Sequence, residues 1–339
     1  MFLHTVVKAV GLKKFFFSEE VKEFSAIALP DCGTLNIGDE IIADAVMKQM
    51  ASVLKEELLM RFPTQTSYST KCLNFYNMAH LRIIGGSNLM SSTVLPVYNQ
   101  WDVPITGFWK YKPAVLMGVG WKKYQKAPGL FAKLFYNSLL SRDYIHSVRD
   151  SYTEQQLRAL GFSNVLNTAC PTTWELTPEH CAAIPQERSE SAVITITDYA
   201  HDLEMSRHMI ETVRLFYKKI YFFAQGVKDL EYLKNTVDPH SIHVIQPTLK
   251  AYDDLLETEH PDFIGTRLHG GIRALQHSCR ALIVAIDNRA AELSKDIKLP
   301  VVVMDSQEAL STALKNGWKI ALELPQENIN KWKEQFKKA

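Results

Sequence analysis

DFIGTRLHGGIRAL, Asp262 to Leu275, reads as a buried strand that passes through Thr-Arg-Leu-His-Gly-Gly into an amphipathic helix starting near Ile272. Open α/β sheets hold ligands at the carboxyl ends of their strands, and a helix N-terminus favours anions through its free N–H groups and dipole. An arginine, a histidine and two glycines at such a junction therefore point to a bound anion. In a helix, Arg267 and His269 would point about 200° apart, whereas in an extended segment they would share one face. Gly270 and Gly271 favour the extended or turned form, which lets Arg267 and His269 address one ligand. Arg149, in SVRDSYT at another strand-to-helix junction, is placed to close the same cleft from the opposite side. Arginine suits bidentate recognition of carboxylate or phosphate, and a ligand carrying both would engage two of them. The structural alternative, a paired arginine and a satisfied histidine, stays open for each.

Working outward, short apolar or β-branched runs recur, each followed by a helical pattern, which is the signature of βα units and a mainly parallel sheet. SAIAL, LRII, AVLMGV, YIHSV and NVLNT supply the first half; AVITI, KIYFF, IHVI, DFIG, ALIVAI and VVVMD supply the second. Between them, ELTPEHCAAIPQERSES is polar and carries Pro178 and Pro185, as a linker does. The reading is an α/β protein of two Rossmann-like domains facing a cleft: residues 1–175 on the acceptor side, a linker over 176–190, and 191–325 carrying the TRLH element. Residues 326–339 form a terminal helix with Ile329, Trp332 and Phe336 on one face, packing back on the body. Ser151 and Glu154 have capping-box spacing, which predicts a helix over 152–160 stopped by Gly161.

Several classes are excluded. The net charge of +1 over 339 residues gives no reason to expect nucleic-acid binding. No apolar run reaches the roughly 20 residues that span a bilayer, and no secretory cleavage site follows the N-terminus. Five cysteines lie scattered without a C-x-x-C pair, which fits a reducing compartment. The expected location is cytoplasmic. CGTLNIGDE has the glycine spacing of a P-loop, but Asp39 and Glu40 stand where Lys and Ser/Thr belong and would repel a triphosphate. GVGWKKY lacks the third glycine of a dinucleotide fingerprint. His201, Asp202, Glu204 and His208 match no zinc spacing, and no metal is expected.

What remains are polar groups at strand ends. Asp39 or Glu40 either complements the dipole of the helix that begins there or accepts hydrogen bonds from substrate hydroxyls. Gly85, Gly86, Gly118 and Gly120 let the backbone turn tightly or approach a ligand. Asp198 and Tyr199, just after AVITIT, are candidate acceptor contacts.

Taken in order, GTLNIGDE, IIGGSNL, SVRDSYT and DFIGTRLHGGIRAL make the chain resemble the polysaccharide pyruvyl transferase family over nearly its whole length. The resemblance implies a fold like the B-type glycosyltransferases (GT-B-like). It also implies transfer of the pyruvyl group of phosphoenolpyruvate to two sugar hydroxyls, giving a cyclic ketal and phosphate. By that resemblance Arg149, Arg267, Leu268 (through its backbone) and His269 hold phosphoenolpyruvate. Asn36, Asp39, Glu40, Gly86, Ser87, Asp198 and Tyr199 then face the saccharide acceptor. The chain departs from the pattern at Ser87, where a third glycine is usual, at Cys170, where an aspartate is expected, and at CRALIV, which replaces a Gly-x-Pro. Arg289 falls near a position where the family often has lysine.

Ketal formation requires protonation of the methylene carbon of phosphoenolpyruvate. His269 is the expected general acid and Asp39 the base or orienting group, with no cofactor. FWKYKPAVLMGVGWKKYQK, with Lys110, Lys112, Lys122, Lys123 and Lys126 among Trp109, Tyr111 and Trp121, and the basic aromatic stretch 7–17 could rest on the inner face of a membrane, where lipid-linked sugars are found. A solvated face is the plainer alternative for them. A nucleotide-sugar glycosyltransferase and a non-catalytic carbohydrate-binding relative remain rival readings, and neither the sugar nor the oligomeric state is legible.

Overall fold

In the computed structural model, which describes residues 21–94, 100–200, 202–306 and 308–337, the first sheet grows from β1 (Val21–Leu29). The stretch 7–17 and His201 lie outside these residues. β1 pairs in parallel with β2 (Leu58–Pro63) on one side and β3 (Ala79–Gly85) on the other, and β3 pairs with β4 (Val115–Met117). β5 (His146–Val148) and β6 (Val165–Asn167) form a parallel pair beside β4, joined to its flanks by the bridges Ala114–Leu140 and Val119–Val148. The order β2-β1-β3-β4, continued by β5-β6, reverses direction between β1 and β3.

The second sheet contains β7 (Ser191–Thr195), β8 (Lys219–Phe222), β9 (His243–Val244), β10 (Asp262–Gly265), β11 (Ala281–Ala285) and β12 (Val301–Val303), all parallel, in the order β12-β11-β10-β7-β8-β9. Counted within the domain this is the 3-2-1-4-5-6 Rossmann order, whose switch point lies between β7 and β10. β7 and β10 are buried at every residue, as strands covered on both faces must be, which is why they read as unbroken apolar runs. Two Rossmann-like α/β domains are thus present.

Helices cover both sheets: α1 (Ile37–Val53), α2 (Thr70–Met78), α3 (Leu130–Leu139), α4 (Ser151–Ala159), α5 (Pro178–Ala183), α6 (Leu203–Phe216), α7 (Asp229–Thr236), α8 (Leu249–Glu259), α9 (Leu268–Gln276), α10 (Asn288–Ile297), α11 (Ala309–Asn316) and α12 (Gln326–Glu334). α1 is buried at Ile41, Ile42, Ala45, Val46 and Met50 because it lies between its own sheet and α9 of the other domain, where Arg273 reaches Asp44 at 3.0 Å. α12 returns to the first domain. Its Ile329 and Trp332, with Phe336 just beyond it, join Ile27, Val46, Met50 and Trp174 in one core, a burial that contributes roughly 1.5–3 kcal/mol per side chain.

The structure differs from the sequence reading at four places. β2 is an additional edge strand; its LLMRFP is half exposed and carries no clean alternation. The helix after β5 is capped by Asp150, whose carboxylate accepts from Thr153 N at 2.7 Å, so Ser151 is its first residue and not its cap. The linker holds α5, and Leu176, Cys181 and Ile184 are buried in the second domain's core. The helix after β10 begins at Leu268, four residues before Ile272. Gly270 and Gly271 serve its close packing: a β-carbon on Gly271 would stand 2.6 Å from Ile283 and 2.9 Å from Phe263.

Candidate active site

That early helix start separates Arg267 from His269. Arg267 is the extended N-cap (φ −87°, ψ 100°), whereas His269 sits in the first turn, so they share no extended face and point to different neighbours. Arg267 turns toward the β7–β8 side. Its Nε donates to Asp229 Oδ2 at 2.9 Å, its Nη2 to Asp229 Oδ1 and, at 3.2 Å, to Asp198 Oδ1, and its guanidinium lies 5.2 Å from the Tyr199 ring centre. Asp229 is fully buried and Arg267 is 5% exposed. This arginine already has its counter-ions.

His269 turns the other way, into the interface between the domains. Its Nε2 is 3.8 Å from Sγ of Cys170, which also accepts from Thr172 Oγ1 at 3.1 Å. Burial raises the Cys170 thiol's pKa, so it stays a neutral S–H and supplies no counter-charge. Burial, with Arg289 and then Arg149 nearby, lowers the His269 pKa from 6.5 to about 3, against an opposing pull from Asp287. At neutral pH the imidazole is uncharged, and two arginines face it.

Those two arginines come from opposite domains. Arg149 follows β5 and is 2% exposed; Nη1 donates to Asn88 Oδ1 and Nε to Asp150 Oδ2 at 2.9 Å. Nη2 is ion-paired with the same Asp150 oxygen at 2.9 Å without the angle for a hydrogen bond, and it is buried without a hydrogen-bond partner. Room for this guanidinium comes from Gly120, where a β-carbon would stand 2.3 Å from Arg149 Cζ. Arg289 lies in the first turn of α10. Nε donates to both Asp287 oxygens at 3.1 and 2.9 Å, and Nη2 to Asp287 Oδ2 and to the Tyr199 hydroxyl, each at 2.6 Å. Arg267, the Tyr199 ring and Arg289 thus form a relay that fixes Arg289 beside His269.

The first domain's contribution starts at the β1 end. Asn36 caps α1 by accepting from Gly38 N at 3.1 Å and also accepts from Gln225 Nε2 at 2.9 Å. Ile37 N donates to Gln225 O and Val227 N to Leu35 O, so this loop is stitched to the loop after β8. Of the two acids behind it, Glu40 is exposed and Asp39 is 4% exposed. Asp39 Oδ2 accepts from Thr34 Oγ1 at 2.5 Å and Gln65 Nε2 at 3.2 Å. Burial raises its pKa to about 6, against these hydrogen bonds and the Arg289 charge. Gly86 and Ser87 follow β3 with φ of 65° and 61°, and Ser87 Oγ donates to Gln100 Oε1 at 3.1 Å. The left-handed conformation at Ser87 is one that glycine adopts without strain.

The expected residues therefore fall into groups. His269, Arg149 and Asp39 share the field of the interdomain site, and Leu268 opens α9, whose N-terminus has no side-chain cap, leaving first-turn N–H groups suited to an anion. Asn36 is engaged as a cap and a domain stitch, and Asp198 and Tyr199 are engaged by arginines. Asn88, Asp229, Gln225 and Asp287 were not singled out from sequence. Each follows a strand end, the one signal that could have found them.

The family model for polysaccharide pyruvyl transferase matches residues 36–288, three quarters of the chain; it takes in Asp39, Arg149, Arg267 and His269 and stops one residue before Arg289. The chain belongs to the polysaccharide pyruvyl transferase family, which makes it a transferase of pyruvyl groups with a polysaccharide acceptor. A search among curated proteins finds no match. Among solved structures it is similar to the Methanocaldococcus jannaschii UDP-GlcNAc 2-epimerase in complex with UDP-GlcNAc and UDP, at 11% identity over 94% of this chain and 99% of that one, TM-score 0.49. It is also similar to the wall teichoic acid polymerase TagF, at 11% identity over 94% and 83%, TM-score 0.39.

Proposed function

We propose that the protein transfers the pyruvyl group of phosphoenolpyruvate onto two hydroxyls of a sugar, in a polysaccharide or its lipid-linked precursor, with Arg149 and Arg289 as the anion clamp above His269. The observation that carries this reading is the buried Nη2 of Arg149, which has no hydrogen-bond partner and only Asp150 as counter-ion, near a neutral imidazole on which both Arg289 and Arg149 act. Two guanidinium groups, each paired with a single aspartate, Asp150 and Asp287, suit a ligand that carries both carboxylate and phosphate. Arg267, already paired with Asp229 and Asp198, acts as a support for Arg289 through Tyr199, and the first-turn N–H groups of Leu268 and His269 complete the cradle.

The proton balance follows from the reaction. Two hydroxyl protons are lost from the sugar; one proton ends on the former methylene carbon, now a methyl, and one leaves with phosphate. The C–C double bond supplies the electron pair for the new C–H bond, C2 takes the first hydroxyl oxygen, and the second displaces phosphate by breaking the C–O bond. His269 is neutral in the free protein and cannot open this sequence as an acid. A bound phosphoenolpyruvate adds negative charge beside the imidazole, which raises its pKa so that it takes up the proton it then delivers. Asp39, with a pKa near 6, suits acceptance of a hydroxyl proton near neutral pH. The reaction needs no further cofactor, and the expected setting is cytoplasmic.

Calorimetric titration with phosphoenolpyruvate tests the clamp. Arg149→Ala and Arg289→Ala should each weaken binding by roughly 1.5–3 kcal/mol, the cost of a charge-assisted contact. Unchanged affinity in both, or binding of nucleotide sugars with no response to phosphoenolpyruvate, would remove the reading.

A further inference from the structure

Away from the cleft, α3 presents an outward face that the rest of the described residues leave bare. It buries Ala132, Phe135, Tyr136 and Leu139 against the core, yet on the opposite side Leu130 is 76% and Leu134 60% exposed, with Phe131 at 38% on the edge. A surface helix ordinarily carries polar residues there. Trp109, 61% exposed, extends the ridge: Phe108 lies between it and the helix, its ring 5.4 Å from Trp109 and 5.2 Å from Phe135. Along the segment that forms the ridge, between Asp102 and Asp143, the charge is of one sign. From Val103 to Arg142 the chain carries Lys110, Lys112, Lys122, Lys123, Lys126, Lys133 and Arg142 and no acidic residue, in a protein whose net charge is +1. Lys110, Lys123, Lys126 and Lys133 are exposed.

We infer that this ridge docks the protein on an anionic lipid bilayer. Leucine, phenylalanine and tryptophan side chains enter the headgroup boundary while lysines meet the anionic headgroups, and neither signal alone holds a protein there firmly. A second copy of the chain is the poorer occupant, because a two-fold contact through this face would set the lysines of one copy against those of the other. The placement also has a use, which rests on the lipid-linked acceptor proposed above. α3 follows the loop that leaves the carboxyl end of β4, the end that carries Gly118 and Gly120, and Tyr124 in that loop donates to Glu292 of α10 at 2.6 Å across the domain boundary. The ridge therefore begins beside the boundary between the domains, and docking on it sets that boundary near the headgroups.

The test is co-sedimentation of the full chain with phosphatidylglycerol–phosphatidylcholine vesicles and with phosphatidylcholine alone, at low and high salt. Binding should need the anionic lipid and weaken with salt. Leu130→Glu/Leu134→Glu and Lys123→Glu/Lys126→Glu should each lower it at least about tenfold, while phosphoenolpyruvate titration of the same variants stays unchanged. Absence of binding to anionic vesicles, or binding that both variants retain, overturns the inference. So does concentration-dependent self-association that Leu130→Glu/Leu134→Glu abolishes. Vesicle binding without any phosphoenolpyruvate binding would leave the ridge standing and remove the pyruvyl-transfer reading instead.

Discussion

Two arginine sites at strand ends of the same molecule differ in what the fold gives them. Arg267, at the switch point of the second sheet, meets a fully buried aspartate with two nitrogens and a second aspartate with one of the same two. Arg149, at the end of β5 in the first domain, meets one aspartate and an asparagine and keeps a buried nitrogen without a hydrogen-bond partner. Both are buried arginines beside a glycine that makes room for the guanidinium, Gly226 and Gly120 respectively. The lesson is that burial and position do not make an arginine a ligand clamp. The number of acids within reach differs: Arg267 has two, Asp229 and Asp198, whereas Arg149 and Arg289 have one each, Asp150 and Asp287.

The sharpest way to break this comparison is to remove Arg267. Arg267→Ala leaves Asp229 buried without its cation, so stability should fall by roughly 3–5 kcal/mol, read from denaturant unfolding. A fall in phosphoenolpyruvate affinity with stability untouched would reverse the roles assigned to the two arginines. Next in size, His269→Ala should lower kcat by about 10²–10⁴ if it delivers the proton to carbon, with a smaller change in KM. Wild-type turnover in that variant would take the acid role away. Arg149→Ala and Arg289→Ala follow, at the roughly 1.5–3 kcal/mol of binding given above. Smallest is Cys170→Asp, which places near the imidazole the kind of counter-charge that Arg267 already enjoys. The apparent pKa of His269, followed by its ring proton resonances, should rise from about 3 by roughly 1–3 units. No movement would mean that Cys170 does not set the environment of the ring.

pH reads the same contrast. A histidine held neutral in the fold at about 3, against 6.5 ordinarily, favours the folded chain fully above 6.5. That contribution is lost as pH falls through about 3. His146, lowered by burial to about 4, acts in the same direction. Asp39, raised to about 6, has the opposite sign: its protonated form fits the fold, and its contribution is lost as pH rises through 6.

Much of this was legible in the sequence because parallel strands covered on both faces leave unbroken apolar runs, and every such run in the second half became a strand. β2 escaped because its LLMRFP is interrupted by Arg61 and shows no alternation. The site was legible as positions, since strand ends bearing Arg149, Arg267, His269 and Asp39 follow from βα order alone. Its internal pairing was not. Asp229 lies 38 residues before Arg267 and Cys170 99 residues before His269, and nothing local in either stretch announces the partner. Ser87 is the converse case. Its left-handed φ of 61° fits the expectation of a glycine there, and the structure accommodates the serine by using its hydroxyl on Gln100.

The central claim is that His269 is neutral in the free protein and gains its proton as phosphoenolpyruvate binds between Arg149 and Arg289. The direct measurement is calorimetric titration at pH 7 in two buffers of different ionisation enthalpy, for the wild type and His269→Ala. The wild type should take up close to one proton more than the variant on binding. Equal uptake in the two proteins would contradict the account.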